Sequence, residues 1–139
     1  GRRVGSPMPA FMLRLPNETY FYQKDLKPKK HTVLMIFSPD CDHCIQQTRA
    51  LTDSIRLFNN TQFVLSTTLP MERLKDFYQS FNLAQHRKQL VAGRDVLFFF
   101  SKYFENHFLP FIAIYDTRQQ LKVVFEGNVT INTLLSHTN

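Results

Sequence analysis

The hydrophobic pattern of the chain predicts a buried strand followed at once by a long helix. Residues 32–37, TVLMIF, form an uninterrupted apolar run, which is typical of a strand covered on both faces of a parallel sheet. Beyond it, residues suited to one buried face recur with helical spacing from Cys41 to Phe58. This spacing predicts a helix that begins near Asp40 or Cys41 and ends at about Asn59.

A second strand and a second helix follow. Residues 63–65 begin another apolar run, and Pro70 suits the first position of a helix whose apolar stripe includes Phe77. Asp95 is predicted to cap a further helix over Val96–Phe104. Strands that alternate with helices in this way predict an α/β protein.

Shorter strands are predicted at both ends of the chain. Alternating apolar residues over 11–15 and the stretch 19–22 flank a Pro-Asn-Glu turn, which predicts an N-terminal hairpin. Near the other end, residues 111–115 and 121–125 are joined by a short connection that contains the four polar residues 117–120, which predicts a second antiparallel hairpin. Thr130 is predicted to cap a short last helix.

Composition and charge favour a single domain that does not bind nucleic acid. Apolar residues make up 43% of the 139-residue chain and aromatic residues 14%, enough to build one core. We expect a single domain over residues 11–139 and a flexible N-terminal tail, residues 1–10. The net charge of +6 comes from dispersed basic residues, apart from KDLKPKK at 24–30. Because no nucleic-acid motif accompanies this charge, we expect no nucleic-acid partner, and acidic partners or anionic lipid are the alternatives to ordinary surface charge.

Both cysteines of the chain lie in the sequence CDHC, on the first turn of the predicted long helix. A bridge between residues three positions apart closes a very small loop and contributes little stability, which favours a redox couple over a structural disulfide. The amides of a helix N-terminus stabilise the thiolate of Cys41, the form that attacks disulfides, and Cys44 would resolve the intermediate. His43 would add to that stabilisation, whereas Asp40 and Asp42 would oppose it, so all three are predicted to tune the couple.

Metal and peroxidase chemistry fit the sequence less well. A structural zinc site needs four ligands, and the five histidines show no paired spacing that would complete a site with the two cysteines. The peroxidase setting is present only in part, because Ser38 precedes Cys41 by three residues but Leu34 stands in the place of the proline. We therefore expect no metal and no cofactor.

The order of these elements resembles the thioredoxin-like superfamily, and within it the TlpA-like extracytoplasmic thiol-disulfide oxidoreductases. The resemblance rests on CDHC at the start of a long helix and on a late proline, Pro110 in HFLPFIAIYD, that begins a strand. It implies an α/β thioredoxin-like fold with a central mixed β-sheet flanked by helices and an N-terminal β-hairpin. It also implies that the Leu109–Pro110 bond is cis, that Pro110 faces the cysteines, and that the backbone of Leu109 binds the substrate chain.

The activity implied by the resemblance is disulfide exchange with protein substrates, with Cys41 as nucleophile, Cys44 as resolving thiol and an upstream redox partner. The chain departs from the family at four positions. Asp40 replaces the usual aromatic residue before the first cysteine, and His43 replaces the usual proline before the second. Met35 stands in the place of a buried acid, and Leu109 in the place of the common Thr or Val before the late proline. A histidine before the second cysteine is similar to oxidising and isomerising members, whereas an acid after the first is similar to reducing ones. We expect a reductase rather than an oxidase, and the alternative is a binding or redox-sensing module without turnover.

The same resemblance, together with two cysteines that both belong to the motif, predicts an extracytoplasmic protein of the periplasm or cell envelope. The first ten residues, GRRVGSPMPA, lack the apolar stretch of a signal peptide, and the sequence leaves open whether a signal peptide or membrane tether was removed. We expect the protein to be a monomer.

Overall fold

Seven strands form one mixed β-sheet in the computed structural model, which describes residues 3–139. The strands are β1 (Met12–Arg14), β2 (Tyr20–Tyr22), β3 (His31–Ile36), β4 (Thr61–Thr67), β5 (Leu90–Arg94), β6 (Phe111–Tyr115) and β7 (Leu121–Glu126). The α-helices are α1 (Asp42–Ser54), α2 (Met71–Ser80), α3 (Phe99–Phe104) and α4 (Ile131–Thr138). Short 3₁₀ turns span Gln23–Asp25, Ile55–Leu57 and Leu83–His86. Within the described range no helix has the length and apolar character needed to cross a bilayer.

The strand order is β2-β1-β5-β4-β3-β6-β7. β3, β4 and β5 are parallel, whereas β6 is antiparallel to β3 and β7 is antiparallel to β6. The helices α1 and α2 are the two crossovers between parallel neighbours, and crossovers that step in the same direction cover the same face of a sheet. The predicted mixed sheet, the N-terminal hairpin of β1 with β2 and the C-terminal hairpin of β6 with β7 are confirmed.

The uninterrupted apolar run of β3 is explained by helices or chain on both faces of the sheet. Met35 packs with Cys44 of α1, Leu74 of α2 and Leu134 of α4 on one face. Successive side chains of a strand point to opposite faces, so Leu34 belongs to the other core cluster.

The second face is covered by α3 and by the chain that precedes β1. Phe100 and Phe104 of α3 pack there with Met8 and Phe11, and Tyr115 of β6 is fully buried among them. Burying a large apolar side chain contributes about 1.5–3 kcal/mol, so this second face also stabilises the fold.

The predicted N-terminal tail differs from the structure. Residues 1 and 2 lie outside the described part of the chain, but the segment that follows is hydrogen-bonded to the turn between β6 and β7. Gly5 N–H donates to Leu121 O at 2.7 Å, Leu121 N–H donates to Ser6 O at 2.8 Å, and Met8 N–H donates to Gln119 O at 2.8 Å. The burial of Met8 gives the physical reason, because this side chain completes the second face of the core.

Three further details of the prediction need correction. α1 ends at Ser54 and continues only as the 3₁₀ turn, short of Asn59. Strand β5 was missing from the prediction, because its sequence LVAGR is short and contains a glycine. That glycine is required: a Cβ at Gly93 would lie 2.7 Å from the Cβ of Leu13 in β1.

The helix that follows Asp95 is also shorter than predicted. It begins at Phe99 rather than at Val96, and Phe98 before it has left-handed backbone angles, with φ 55°. Asp95 still bonds to this helix, since its Oδ2 accepts a hydrogen bond from Phe100 N–H at 2.9 Å. The extra loop residues arise because the chain must turn from β5 to the opposite face of the sheet.

Candidate active site

The two cysteines lie where the chain leaves the central strand β3 and enters α1. Cys41 is the N-cap residue of α1, and its sulfur accepts a hydrogen bond from Cys44 N–H at 3.3 Å. The loop before it is closed by Cys41 N–H, which donates to Ser38 O at 3.1 Å. A sulfur that occupies an N-cap position faces the free amides of the first helical turn. The sequence therefore places one thiol at the positive end of the helix, as predicted.

The two thiols differ in exposure. Both cysteines are free, Cys41 is half-buried and Cys44 is fully buried. Burial raises the pKa of Cys44 to about 12, and the neighbouring Cys41 thiol adds to this shift, while a hydrogen bond from the Ser38 backbone opposes it. Cys44 is therefore a neutral thiol near pH 7, and its burial keeps it from direct contact with a large molecule.

The residue before the predicted proline lies beside Cys41. The Leu109–Pro110 peptide bond is cis, as the family resemblance implied. The Cys41 sulfur lies 3.9 Å from Leu109 O, a weak S–H···O contact. This position follows from the sheet register, since Phe111 at the start of β6 pairs with Ile36 at the end of β3. Pro110 itself is buried, and its carbonyl accepts a hydrogen bond from Gly127 N–H at 2.8 Å.

The three residues predicted to tune the couple have different surroundings. Asp40 is half-exposed and forms an ion pair with Arg73 of α2. Asp42 is exposed on the first turn of α1. His43 is exposed as well, and its carbonyl accepts a hydrogen bond from Asn128 Nδ2 at 3.1 Å. Of these three residues, only Asp40 forms an ion pair with another side chain of residues 3–139.

Three contacts at the site were missed by the sequence interpretation. Arg73 was not expected near the cysteines, because nothing in a single sequence indicates which turn of α2 faces Asp40. Asn128 was not expected there either, because it is 85 residues from His43 in the sequence. Gln47 is almost fully buried, its Nε2 donates to Val129 O at 3.0 Å, and its Oε1 accepts from Val129 N–H at 2.7 Å. A glutamine at a buried position of the α1 stripe was the available signal.

Met35 occupies the place where the resemblance implied a buried acid. It is buried in the same cluster as Cys44. A thioether cannot accept a proton from Cys44 near neutral pH, in contrast to a carboxylate.

The described part of the chain does not bring together three or more His, Cys, Asp or Glu side chains that could hold a metal ion.

Two surface grooves flank the exposed side of Cys41. One lies between α1 and α2, has a volume of about 750 Å³, and includes Asp40 and Arg73 in its lining. The other has a volume of about 510 Å³ and is lined by His43, Leu109 and the exposed Phe108. Close sequence neighbours of Cys41 thus line both grooves, Asp40 the first and His43 the second.

The fold that carries this site is thioredoxin-like, as comparison with solved structures shows. The thioredoxin domain of the thiol-disulfide oxidoreductase BVU-2223 from Bacteroides vulgatus matches with a TM-score of 0.80 and 16% identity over 100% of both chains. A secreted Mycobacterium tuberculosis disulfide oxidoreductase homologous to Escherichia coli DsbE matches with a TM-score of 0.75 and 15% identity over 91% of this chain and 92% of that one. StoA from Bacillus subtilis matches with a TM-score of 0.73 and 11% identity over 97% and 99% of the two chains. No protein-family model and no curated protein sequence matches this chain.

Proposed function

We propose that this protein is a thiol-disulfide oxidoreductase that exchanges electrons with disulfides of protein substrates. The observation that carries the proposal is the pairing of a half-buried Cys41 sulfur, at a helix N-terminus and beside Leu109 O, with the buried thiol of Cys44. Structural neighbours described as thiol-disulfide oxidoreductases support the same chemistry.

Each turnover consists of two exchange steps. The Cys41 thiolate attacks one sulfur of the substrate disulfide, the substrate S–S bond breaks, and the departing thiolate takes up a proton. Cys44 then loses its proton and attacks the Cys41 sulfur, which releases the second substrate thiol. The substrate gains two electrons and two protons, and the protein is left with a Cys41–Cys44 disulfide that an upstream redox partner must reduce.

We expect reduction of substrates to be the favoured direction. A dithiol is made oxidising when its reduced form is stabilised as a thiolate. The carboxylate of Asp42 on the first turn of α1 disfavours additional negative charge near Cys41 and so opposes that stabilisation. This carboxylate is the feature that supports loss of electrons from the reduced couple, the direction that we propose.

The backbone before Pro110 is suited to hold the substrate chain. Leu109 N–H makes no hydrogen bond to any residue of the described chain, and Leu109 O meets only the Cys41 thiol. An extended peptide can satisfy such groups by adding a short strand-like pairing. We infer that Leu109 aligns the substrate disulfide with Cys41 and that Pro110 keeps this segment against the thiol.

An extracytoplasmic location is part of the proposal. It is supported by the description of the matching mycobacterial enzyme as secreted. It also agrees with a cysteine content limited to the redox pair, which leaves no further thiol to oxidise.

Reduction of insulin by dithiothreitol in the presence of the protein tests the proposal. The wild-type chain should accelerate the reaction, and Cys41→Ser should abolish the acceleration because the attacking sulfur is lost. Cys44→Ser should instead form a mixed disulfide with insulin that is visible as a mass shift and disappears with excess reductant. Thr52→Ser, a conservative change farther along α1, is the matched control and should keep full activity.

The outcome also separates turnover from binding. A chain that accelerates nothing and traps nothing, although its cysteines oxidise to a disulfide, would be a binding or redox-sensing module rather than an enzyme. If a mixed disulfide is trapped but insulin reduction is not accelerated, the slow step is the attack of Cys44 on that mixed disulfide.

A further inference from the structure

The end of the sheet opposite Cys41 is formed by the segments that precede three neighbouring parallel strands. These segments contact one another directly: His31 N–H donates to Asn60 O at 3.0 Å, and Asn60 Nδ2 donates to Lys29 O at 3.0 Å. Phe63 N–H donates to Gln89 O at 2.8 Å. The loops before β3, β4 and β5 therefore form one continuous surface, which we name the basal surface.

The basal surface carries a cluster of cations. Its basic residues are Lys27, Lys29, Lys30, Arg56, Arg87 and Lys88. Lys27 Nζ donates to the carbonyl of Lys88, and Lys27 and Arg87 line the same shallow pocket, together with Asp25. None of the six cations forms an ion pair with an acidic side chain within residues 3–139.

The cluster accounts for the net charge of the described chain. Outside Arg2, the sequence has sixteen Lys and Arg and eleven Asp and Glu residues. Six of those cations and Asp25 belong to the basal surface, so ten cations and ten carboxylates are spread over the rest of the molecule. The excess of positive charge is therefore a local property of one end of the molecule.

An apolar side chain is exposed within the same surface. Leu57, in the 3₁₀ turn that leads to β4, is 50% exposed and follows Arg56. Phe58, the next residue, is buried and fixes the turn, and its carbonyl accepts a hydrogen bond from Gln89 Nε2 at 2.5 Å. Leu57 is thus presented outward from a rigid support.

We propose that the basal surface docks on an anionic lipid bilayer. Lysine side chains are flexible point charges that match a fluid layer of phosphate headgroups, whereas recognition of fixed carboxylates usually employs the bidentate fork of arginine. Four of the six cations are lysines, and only Lys27 and Arg87 line the shallow pocket at this surface. An exposed leucine among cations is the arrangement of interfacial segments that insert one apolar side chain below the headgroups.

Docking in this way presents the cysteines to the solution. Cys41 follows the carboxyl end of β3 and the basal surface precedes its amino end, so the two are separated by the strand length, about 3.3 Å for each of its six residues. A bilayer-bound molecule would keep Cys41 accessible to a soluble protein.

Vesicle sedimentation tests the proposal, with phosphatidylcholine vesicles compared with an equal mixture of phosphatidylcholine and phosphatidylglycerol. The full chain should bind the anionic vesicles at low salt, bind the neutral ones poorly, and be released as salt is raised. The variant Lys29→Gln/Lys30→Gln/Lys88→Gln should lower the partition coefficient on the order of 100-fold. The matched control Lys75→Gln/Lys102→Gln/Lys122→Gln has the same net charge and should change it by less than about threefold.

Two further measurements make the outcome decisive. Leu57→Ser should weaken binding to anionic vesicles at unchanged charge, and alkylation of Cys41 by a bilayer-impermeant maleimide should be equally fast on vesicles and in solution. The proposal is overturned if anionic vesicles do not bind, if both triple variants lose binding equally, or if bound protein has a protected Cys41. Binding to soluble polyglutamate but not to vesicles would assign the surface to an acidic protein instead. Because insulin reduction does not involve this surface, loss of docking and loss of redox activity are separable.

Discussion

Asp40 has a neighbour that its place in the sequence does not reveal. As an acid directly before Cys41, it is expected to oppose formation of the thiolate. The ion pair with Arg73 places a guanidinium on the same carboxylate, so part of that opposition is removed. Both side chains are about half exposed, and solvent and salt weaken the effect without abolishing it.

Arg73→Ala should therefore slow the reaction of Cys41 with iodoacetamide at pH 7, by about two- to fivefold at low salt. The reason is that the unpaired Asp40 carboxylate again disfavours the neighbouring thiolate. Adding Asp40→Asn to Arg73→Ala should restore the wild-type rate, and Lys75→Ala on the same helix is the control for a general loss of positive charge. An undiminished rate in Arg73→Ala would mean that the pair has no influence on the thiol.

At the scale of the elements, α1 is held at two points near its start. Gln47 bonds to both backbone groups of Val129, and Asn128 bonds to the carbonyl of His43. These contacts connect the first two turns of α1 to the segment between β7 and α4. The helix that carries Cys41 is thereby fixed relative to the strand pair that begins at Pro110.

Gln47→Leu should lower the free energy of unfolding by about 1–3 kcal/mol, because the N–H and C=O of Val129 would lose their partners in a partly buried site. Urea unfolding measures the change, and Gln46→Leu, at the exposed neighbouring position, is the control. If both variants unfold at the same urea concentration as wild type, water replaces the lost bonds and the contact does not stabilise the helix.

At the scale of the whole molecule, the redox state sets how stability depends on pH. In the reduced protein the folded pKa of Cys44 is raised from 9.0 to about 12. Below pH 9 the thiol is neutral in both the folded and unfolded states. Above pH 9 the unfolded chain loses this proton first, so the stability that is present at lower pH is lost as the pH rises toward 12.

Reduced protein should consequently lose about 1 kcal/mol of stability relative to oxidised protein between pH 7 and pH 10. The oxidised form is the natural control, since it contains no Cys44 thiol but retains Tyr115, whose pKa is also raised by burial. Urea unfolding of both forms at each pH gives the difference. Reduced Cys44→Ala should lack the extra loss, and a parallel pH dependence of all three proteins would contradict the assignment.

Much of this molecule could be predicted because local patterns and the fold agree. The apolar run at 32–37, the helix after CDHC and both hairpins follow from side-chain periodicity, and the cis bond before Pro110 was implied by the family resemblance. Contacts between distant elements could not be obtained in this way. The meeting of Asp40 with Arg73, the pairing of Gln47 with Val129 and the cluster of cations at the basal surface all depend on tertiary packing, which no local spacing encodes.

The pairing of residues 5–8 with the turn before β7 has a consequence for self-assembly. β7 is an edge strand, and the free peptide groups of an edge can recruit a strand from a second molecule. Where β7 begins, Leu121 already exchanges both of its backbone hydrogen bonds with Gly5 and Ser6, and farther along the strand the charged side chains of Lys122 and Glu126 are exposed. Residues 5–8 thus cover the start of this edge, and we expect their removal to expose it to edge-to-edge pairing with a second molecule.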